Sequence, residues 1–308
     1  MTVLRDENGQ TLALALLALT VLLGMSALVL DVGSWLRVQR SLQASADAAA
    51  LAGAQLLPDD PNGATQTALA YAARNSDVTS QPSVALSTDL VANDQITVDE
   101  HADAPSFFSR VFHITSVAVA AHATARSRAV GAARYVAPIA VSEQHPMLQC
   151  APRPCFGQAT QINLADLKAP GSSTAAGNFG LLDLDGELNG SAGTSELADW
   201  LRNGYDGTLG TGIFSGAPGA SFNAAPMDAA LNARVGTEIL FPVYRSIVGS
   251  GSTAAFDVVG WVGFTLTGWS ASGNSGTLYG SFTRVTWDGV ASDGGGPDYG
   301  VRTISLVR

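Results

Sequence analysis

The sequence predicts an α+β protein: a long N-terminal membrane-spanning helix, a small helix-plus-antiparallel-sheet domain, and a β-rich C-terminal domain. Three observations predict it. Leu12 to Leu30 runs nineteen residues without a charge and ends at Asp31. Ser34 to Leu57 then places apolar residues three and four apart, with no proline until Pro58. Beyond Ser83 the period changes to two, and in the second half glycine-rich turns separate short apolar runs. Helical spacing followed by alternation marks helices and an antiparallel sheet segregated along the chain.

The first run forms a helix of about 28 Å, close to the ~30 Å hydrocarbon core of a bilayer. Its nine leucines and two valines favour insertion by roughly 3–7 kcal/mol. Only Thr20, Gly24 and Ser26 soften it. A cleaved secretory signal has a shorter apolar region, about 7–15 residues, behind a basic start. Here the start holds Arg5, Asp6 and Glu7, and the first Ala-x-Ala after the run, Ala44 to Ala46, lies far downstream. A buried core helix seldom runs so long without a charge. The segment reads as an uncleaved anchor over residues 1–33. The expected domains beyond it are a small α+β domain at 34–128, a connector at 129–137 and a β-rich extracytoplasmic domain at 138–308.

After the anchor, Trp35, Val38, Leu42, Ala46, Ala49, Gly53 and Leu56 form one stripe, opposite Arg37, Arg40, Gln43 and Asp47. Ala46, Ala49 and Gly53 are the candidate helix-packing residues, because small side chains let a second helix approach closely. With no breaker, Leu12 to Leu57 makes a single rod of about 70 Å; a kink near Gly33 is the alternative. A second helix fits Thr65 to Arg74. Val84, Leu86 and Thr88, then Ile96, Val98 and Glu100, alternate about a turn at Ala92 to Asp94 and read as a hairpin. A short helix at Pro105 to Phe112 and a strand at Val117 to Ala125 complete the first domain. In the second half helices fit Ser195 to Asn203 and Met227 to Arg234. Strand-like runs cover Glu238 to Tyr244, Ala255 to Leu266, Gly276 to Trp287 and Gly300 to Val307, as in a sandwich or barrel.

The chain has 308 residues, a net charge of −10 and a single lysine, Lys168. A surface so poor in cations argues against nucleic acid, which needs a basic face. Cys150 and Cys155, in CAPRPC, suit a disulfide across a tight loop, against two free thiols; no second pair completes a zinc site. A disulfide fits an extracytoplasmic body. Charges flanking the anchor, Arg5 before and Arg37 and Arg40 after, do not decide its orientation.

No catalytic, cofactor-binding or metal-binding residue is assigned. Walker A, His-Glu-x-x-His and Gly-x-Ser-x-Gly patterns are missing from the sequence, and His101, His113, His122 and His145 are scattered. Asp183, Asp185, Glu187 and Asn189 alternate as calcium ligands do, but Gly186 falls too early for an EF-hand loop, so a polar strand-turn is the plainer reading. Trp200, Trp261, Trp269 and Trp287 are read as core residues, with a carbohydrate platform as the alternative.

One set of landmarks recurs in order: Arg5, Gly9, Gln10, Asp31, Gly33, Arg40, Leu42, Gln43 and the block Ala46 to Gly53. In this the segment resembles the N-terminal region of TadG-like and TadE-like Flp pilus-assembly proteins, and PSFFSRVFHITSVAVAAHATARSR resembles the close of that domain. The resemblance covers about Arg5 to Arg128. Larger members carry an Asp-x-Ser-x-Ser metal site that is missing here, and the residue five places after Gly9 is Leu14 rather than a prepilin glutamate. The resemblance implies a non-enzymatic, single-pass component of Tad/Flp pilus assembly in the cytoplasmic membrane, with its C-terminal part extracytoplasmic. Its expected partners are the bilayer and other pilus-assembly membrane proteins, and an oligomer is compatible with it. The alternative is an anchored adhesin or carbohydrate binder working through the C-terminal domain.

Overall fold

One helix, α1 (Asn8–Ala54), carries both the uncharged run and the small-residue stripe. It does not break at Gly33, so the single rod is realised, about 70 Å over 47 residues. The computed structural model describes residues 8–75, 79–150, 154–164, 180–186, 192–217, 222–249, 253–272, 275–294 and 296–307. The chain divides into two compact units, residues 1–126 with 305–308, and residues 127–304.

In the first unit α1 is followed by α2 (Pro61–Asn75), β1 (Gln81–Ser87), β2 (Gln95–Pro105), a 3-10 turn at Ser109–Phe112 and β3 (Ser116–Ala133). β2 pairs antiparallel with β1, Val84 opposite Val98, and with β3, Glu100 opposite Ala121. The core is built mostly from alanine. Ala46, Ala49, Ala50, Ala64, Ala68 and Ala72 are fully buried, with Leu42, Leu57, Ile96 and Val98 as the large members. Alanine at every fourth position of α2 puts a smooth face on one side of that helix. Ser45 of α1 donates to the Ala72 carbonyl at 3.3 Å, while Gly53 lies against Ala64 and Ala68, so the two helices run antiparallel. Leu56, expected on the stripe, is exposed, because α1 ends at Ala54 and the chain turns towards α2.

The segment expected to be a connector at 129–137 is structured. β3 continues to Ala133 because its burial pattern persists through Ser127, Val130 and Ala133. Val130, Ala133, Val136 and Ala137 join the core of the second unit. The chain enters that unit within β3 and leaves it within its last strand.

The second unit contains β4 (Val141–Ser142), α3 (Pro146–Gln149), β5 (Ala159–Asn163), α4 (Thr194–Asn203), β6 (Leu209–Gly210), β7 (Gly212–Ser215) and α5 (Ala225–Arg234). β8 (Glu238–Val248), β9 (Ala255–Ser272), β10 (Ser275–Thr283), β11 (Val285–Thr286), β12 (Gly289–Ala291) and β13 (Val301–Val307) follow, β13 returning to the first unit at Ser305. One sheet has the order β4-β8-β9-β10-β5, with β7 also on β9. Its pairs are antiparallel except β4 with β8. Phe222, Phe241, Tyr244, Phe256, Phe264 and Phe282 are fully buried there, several in edge-on ring pairs such as Tyr244 with Phe256 at 5.1 Å. Such rings bury large areas and fix their neighbours' geometry. Gly276 of β10 permits this packing, since a Cβ there would meet the Phe222 ring at 2.1 Å.

Candidate functional site at the membrane end of the first unit

The large side chains from Leu12 to Leu30 are 53–69% exposed, so among the described residues nothing covers this stretch of α1. Among the described residues one helix is long and apolar enough to cross a membrane. Thr20 and Ser26 return their hydroxyls to the carbonyls of Leu16 and Leu22, both at 2.8 Å, so neither brings an unsatisfied polar group to the apolar face.

Asp31, the first charge after the run, is fully buried. Its carboxylate binds the turn between β2 and β3. The Phe107 amide donates to Oδ1 at 2.8 Å, and the Ser109 amide and hydroxyl donate to Oδ2 at 2.6 and 2.5 Å. The Phe108 amide lies between both oxygens, at 3.2 and 3.1 Å. These amides lead into the Ser109–Phe112 turn, so Asp31 does from a distant element what an N-cap side chain does locally. The turn is closed at its base by the Ser106 amide on the Thr115 carbonyl, 3.0 Å, and at its end by His113 in the left-handed conformation, φ 64°. The result presents Phe107, Phe108, Val111, Phe112 and Ile114 outward, Val111 and Phe112 each 78% exposed. Sequence reasoning placed Asp31 at the end of the run but missed its partner. The available signal was Phe-Phe-Ser-Arg-Val-Phe in a hairpin turn, where polar residues normally sit.

Ala46, Ala49 and Gly53 are brought together inside the first unit. A Cβ on Gly53 would sit 2.6 Å from Ile96 Cδ1 and 2.9 Å from the Ala64 carbonyl. Their face of α1 is therefore filled by the protein's own α2 and β2 and is closed to a partner helix. The complementary stripe Ala64, Ala68 and Ala72 was the readable sign of this. Gln43 reaches from the same helix to the His122 carbonyl at 2.9 Å.

Cys150 and Cys155 are bridged, with Cα atoms 5.9 Å apart. His145 is held structurally: its Nδ1 accepts from the Met147 amide at 3.2 Å and its Nε2 faces the Gln161 carbonyl at 3.0 Å, and burial pushes its pKa down. His101 and His113 are exposed, and His122 pairs with Asp99 at 2.6 Å. Asp183 is buried, and that burial, with Asp185 beside it, pushes its carboxyl up to about 6. Glu187 and Asn189 of the same run lie outside the described residues, and among the described residues no three His, Cys, Asp or Glu side chains cluster as metal ligands. Trp200 and Trp261 are buried in the core, while the half-buried Trp269 and Trp287 donate to Asn232 and to the Arg134 carbonyl. A shared sugar-stacking platform needs exposed rings, and two of the four are inside.

An uncharged, uncovered stretch of α1 that runs without a break into a packed unit supports a single-pass membrane anchor on an α+β protein. Residues 9–56 match the family model Tad, described as "Putative Flp pilus-assembly TadE/G-like". The matched stretch includes Asp31, Gln43 and the alanine block, and so spans the anchor and the α1 half of the helix pair. No curated protein and no solved structure matches the chain.

Proposed function

We propose that this protein is a non-enzymatic component of Tad/Flp-type pilus assembly, held in the cytoplasmic membrane by α1 with both units on the extracytoplasmic side. The observation that carries the reading is the coincidence of the family match at residues 9–56 with the uncovered apolar helix. The bridged Cys150–Cys155 pair supports an oxidising compartment for the second unit. The small-residue face of α1 is spent internally, so contacts with other pilus-assembly membrane proteins fall to the lipid-exposed surface of Leu12 to Leu30.

Deleting the encoding gene from its host should remove surface pili, and the intact chain should restore them. A chain whose residues 8–33 are replaced by an unrelated membrane span should stay in the membrane yet restore them poorly. Protease added to spheroplasts should digest the body while sparing the span. Unchanged piliation on deletion, or a body protected until the membrane is opened, overturns the reading.

A further inference from the structure

We propose that the turn between β2 and β3, Phe107 to Ile114, is a second membrane contact, dipping its apolar side chains into the interface of the bilayer that α1 spans. This rests on the lipid-spanning reading of Leu12 to Leu30 and not on the pilus role.

Three contacts fix the level of the turn along α1. Gly53 abuts Ile96, Gln43 reaches His122, whose strand partner is Asp99, and Asp31 binds Phe107 to Ser109. Moving down the helix towards the uncharged run therefore means moving along the hairpin towards its tip. From Gly53 to Asp31 the helix descends about 33 Å. From Ile96 to Phe107 an extended strand covers about 37 Å. The two descend side by side, and the hairpin tip arrives where the uncharged run ends, one residue past Leu30.

At that level the surface is apolar from two elements at once. α1 contributes Leu28, Val29 and Leu30, and the turn contributes Phe107, Phe108, Val111, Phe112 and Ile114, all exposed. A concentration of five large apolar residues within eight positions of one turn marks an interaction surface rather than ordinary scatter. Its continuity with the spanning segment selects lipid as the occupant. Arg110, exposed in the same turn, has the reach and charge to meet lipid phosphates. Phenylalanine and aliphatic side chains bury favourably at the boundary between headgroups and acyl chains. The backbone condition is met as well, because the turn's leading amides are bound by the Asp31 carboxylate and impose no unsatisfied donors on the interface.

The test uses the full chain, reconstituted alone into vesicles of zwitterionic and anionic phospholipid, with one added cysteine bearing an environment-sensitive dye. Labels go at Phe112→Cys, at Leu17→Cys in the span, and at Val91→Cys in the β1–β2 turn at the opposite end of the hairpin. Bromine carried on lipid chains near the headgroups should quench the dye at 112 at least threefold more than the dye at 91, and aqueous iodide should show the reverse. A dye at 112 that follows the one at 91, while the one at 17 is lipid-quenched, overturns the inference and leaves the anchor standing. Shielding of 112 from both quenchers means a protein contact and also overturns it. If 17 is not lipid-quenched, the spanning reading fails and takes this inference with it. Asp31→Asn, labelled at 112, should keep most of the quenching, and Asp31→Ala should lose it.

Discussion

The two ends of α1 both present apolar side chains, and their fates are opposite. Between Leu12 and Leu30 the side chains are large and uncovered; between Leu42 and Ala54 they are mostly alanine and buried. Gly24 and Gly53 make the contrast sharp, since a Cβ on Gly24 would meet nothing within 4 Å and one on Gly53 would strike Ile96 and the α2 backbone. Side-chain size decides which solvent each half takes. Leucine and valine suit a lipid environment that wraps any shape, whereas alanine lets a neighbouring helix and strand come close enough to exclude everything else.

The largest effect should come from inverting that arrangement. Gly53→Leu should destabilise the first unit by about 3 kcal/mol through overpacking, read as a lowered denaturant midpoint in detergent micelles, with the second unit's transition unmoved. Equal stability of the variant and wild type would mean that α2 does not pack as described. Next is the boundary between the two halves. Asp31→Ala removes a charged acceptor shared by three amides and a hydroxyl, a loss of about 2 kcal/mol locally. Hydrogen exchange at Phe107 to Ser109 should quicken by about 30-fold, and Asp31→Asn should give a smaller change.

A smaller effect belongs to the other end of the hairpin, where Asp94 accepts from the amides of Asp89, Leu90 and Val91 at 2.6, 2.8 and 3.0 Å. Burial opposes its ionisation, but those donors outweigh burial and hold its pKa below the ordinary value. A depressed pKa in the folded state stabilises above the unfolded value near 4 and loses that contribution as the pH falls through the folded one. Asp94→Ala should therefore cost about 1 kcal/mol at pH 7 and progressively less on acidification below pH 4, in thermal melts of the two proteins side by side. Smallest of all, Gly24→Leu should leave the fold unchanged and favour membrane insertion by about 0.5 kcal/mol. A misfolded first unit in that variant would break the comparison.

Much of the fold was legible because local pattern and global environment agree. The period-two runs at Val84 and Ile96 become β1 and β2, and Thr194 to Asn203 becomes a helix with Leu197 and Leu201 buried. Pattern failed where the signal was not periodic. The connector expected at 129–137 is strand and core, because alanine and glycine carry little contrast between buried and exposed faces. Ala46, Ala49 and Gly53 form a smooth face that the sequence marks for close packing, but spacing does not say which surface fills it, and here α2 and β2 do. Turn residues carry no periodicity either, so the site around Asp31 escaped notice although both of its halves stood in plain view.

By itself, the sequence determined that a charge-free helix of bilayer length leads directly into an amphipathic one, since hydropathy and spacing act through neighbours three and four residues away. Only tertiary structure decided that Asp31 meets a turn seventy-six residues distant, and that α2 claims the alanine face. Both are choices among surfaces of similar chemistry, and they are settled by the register in which helices and hairpin lie against one another.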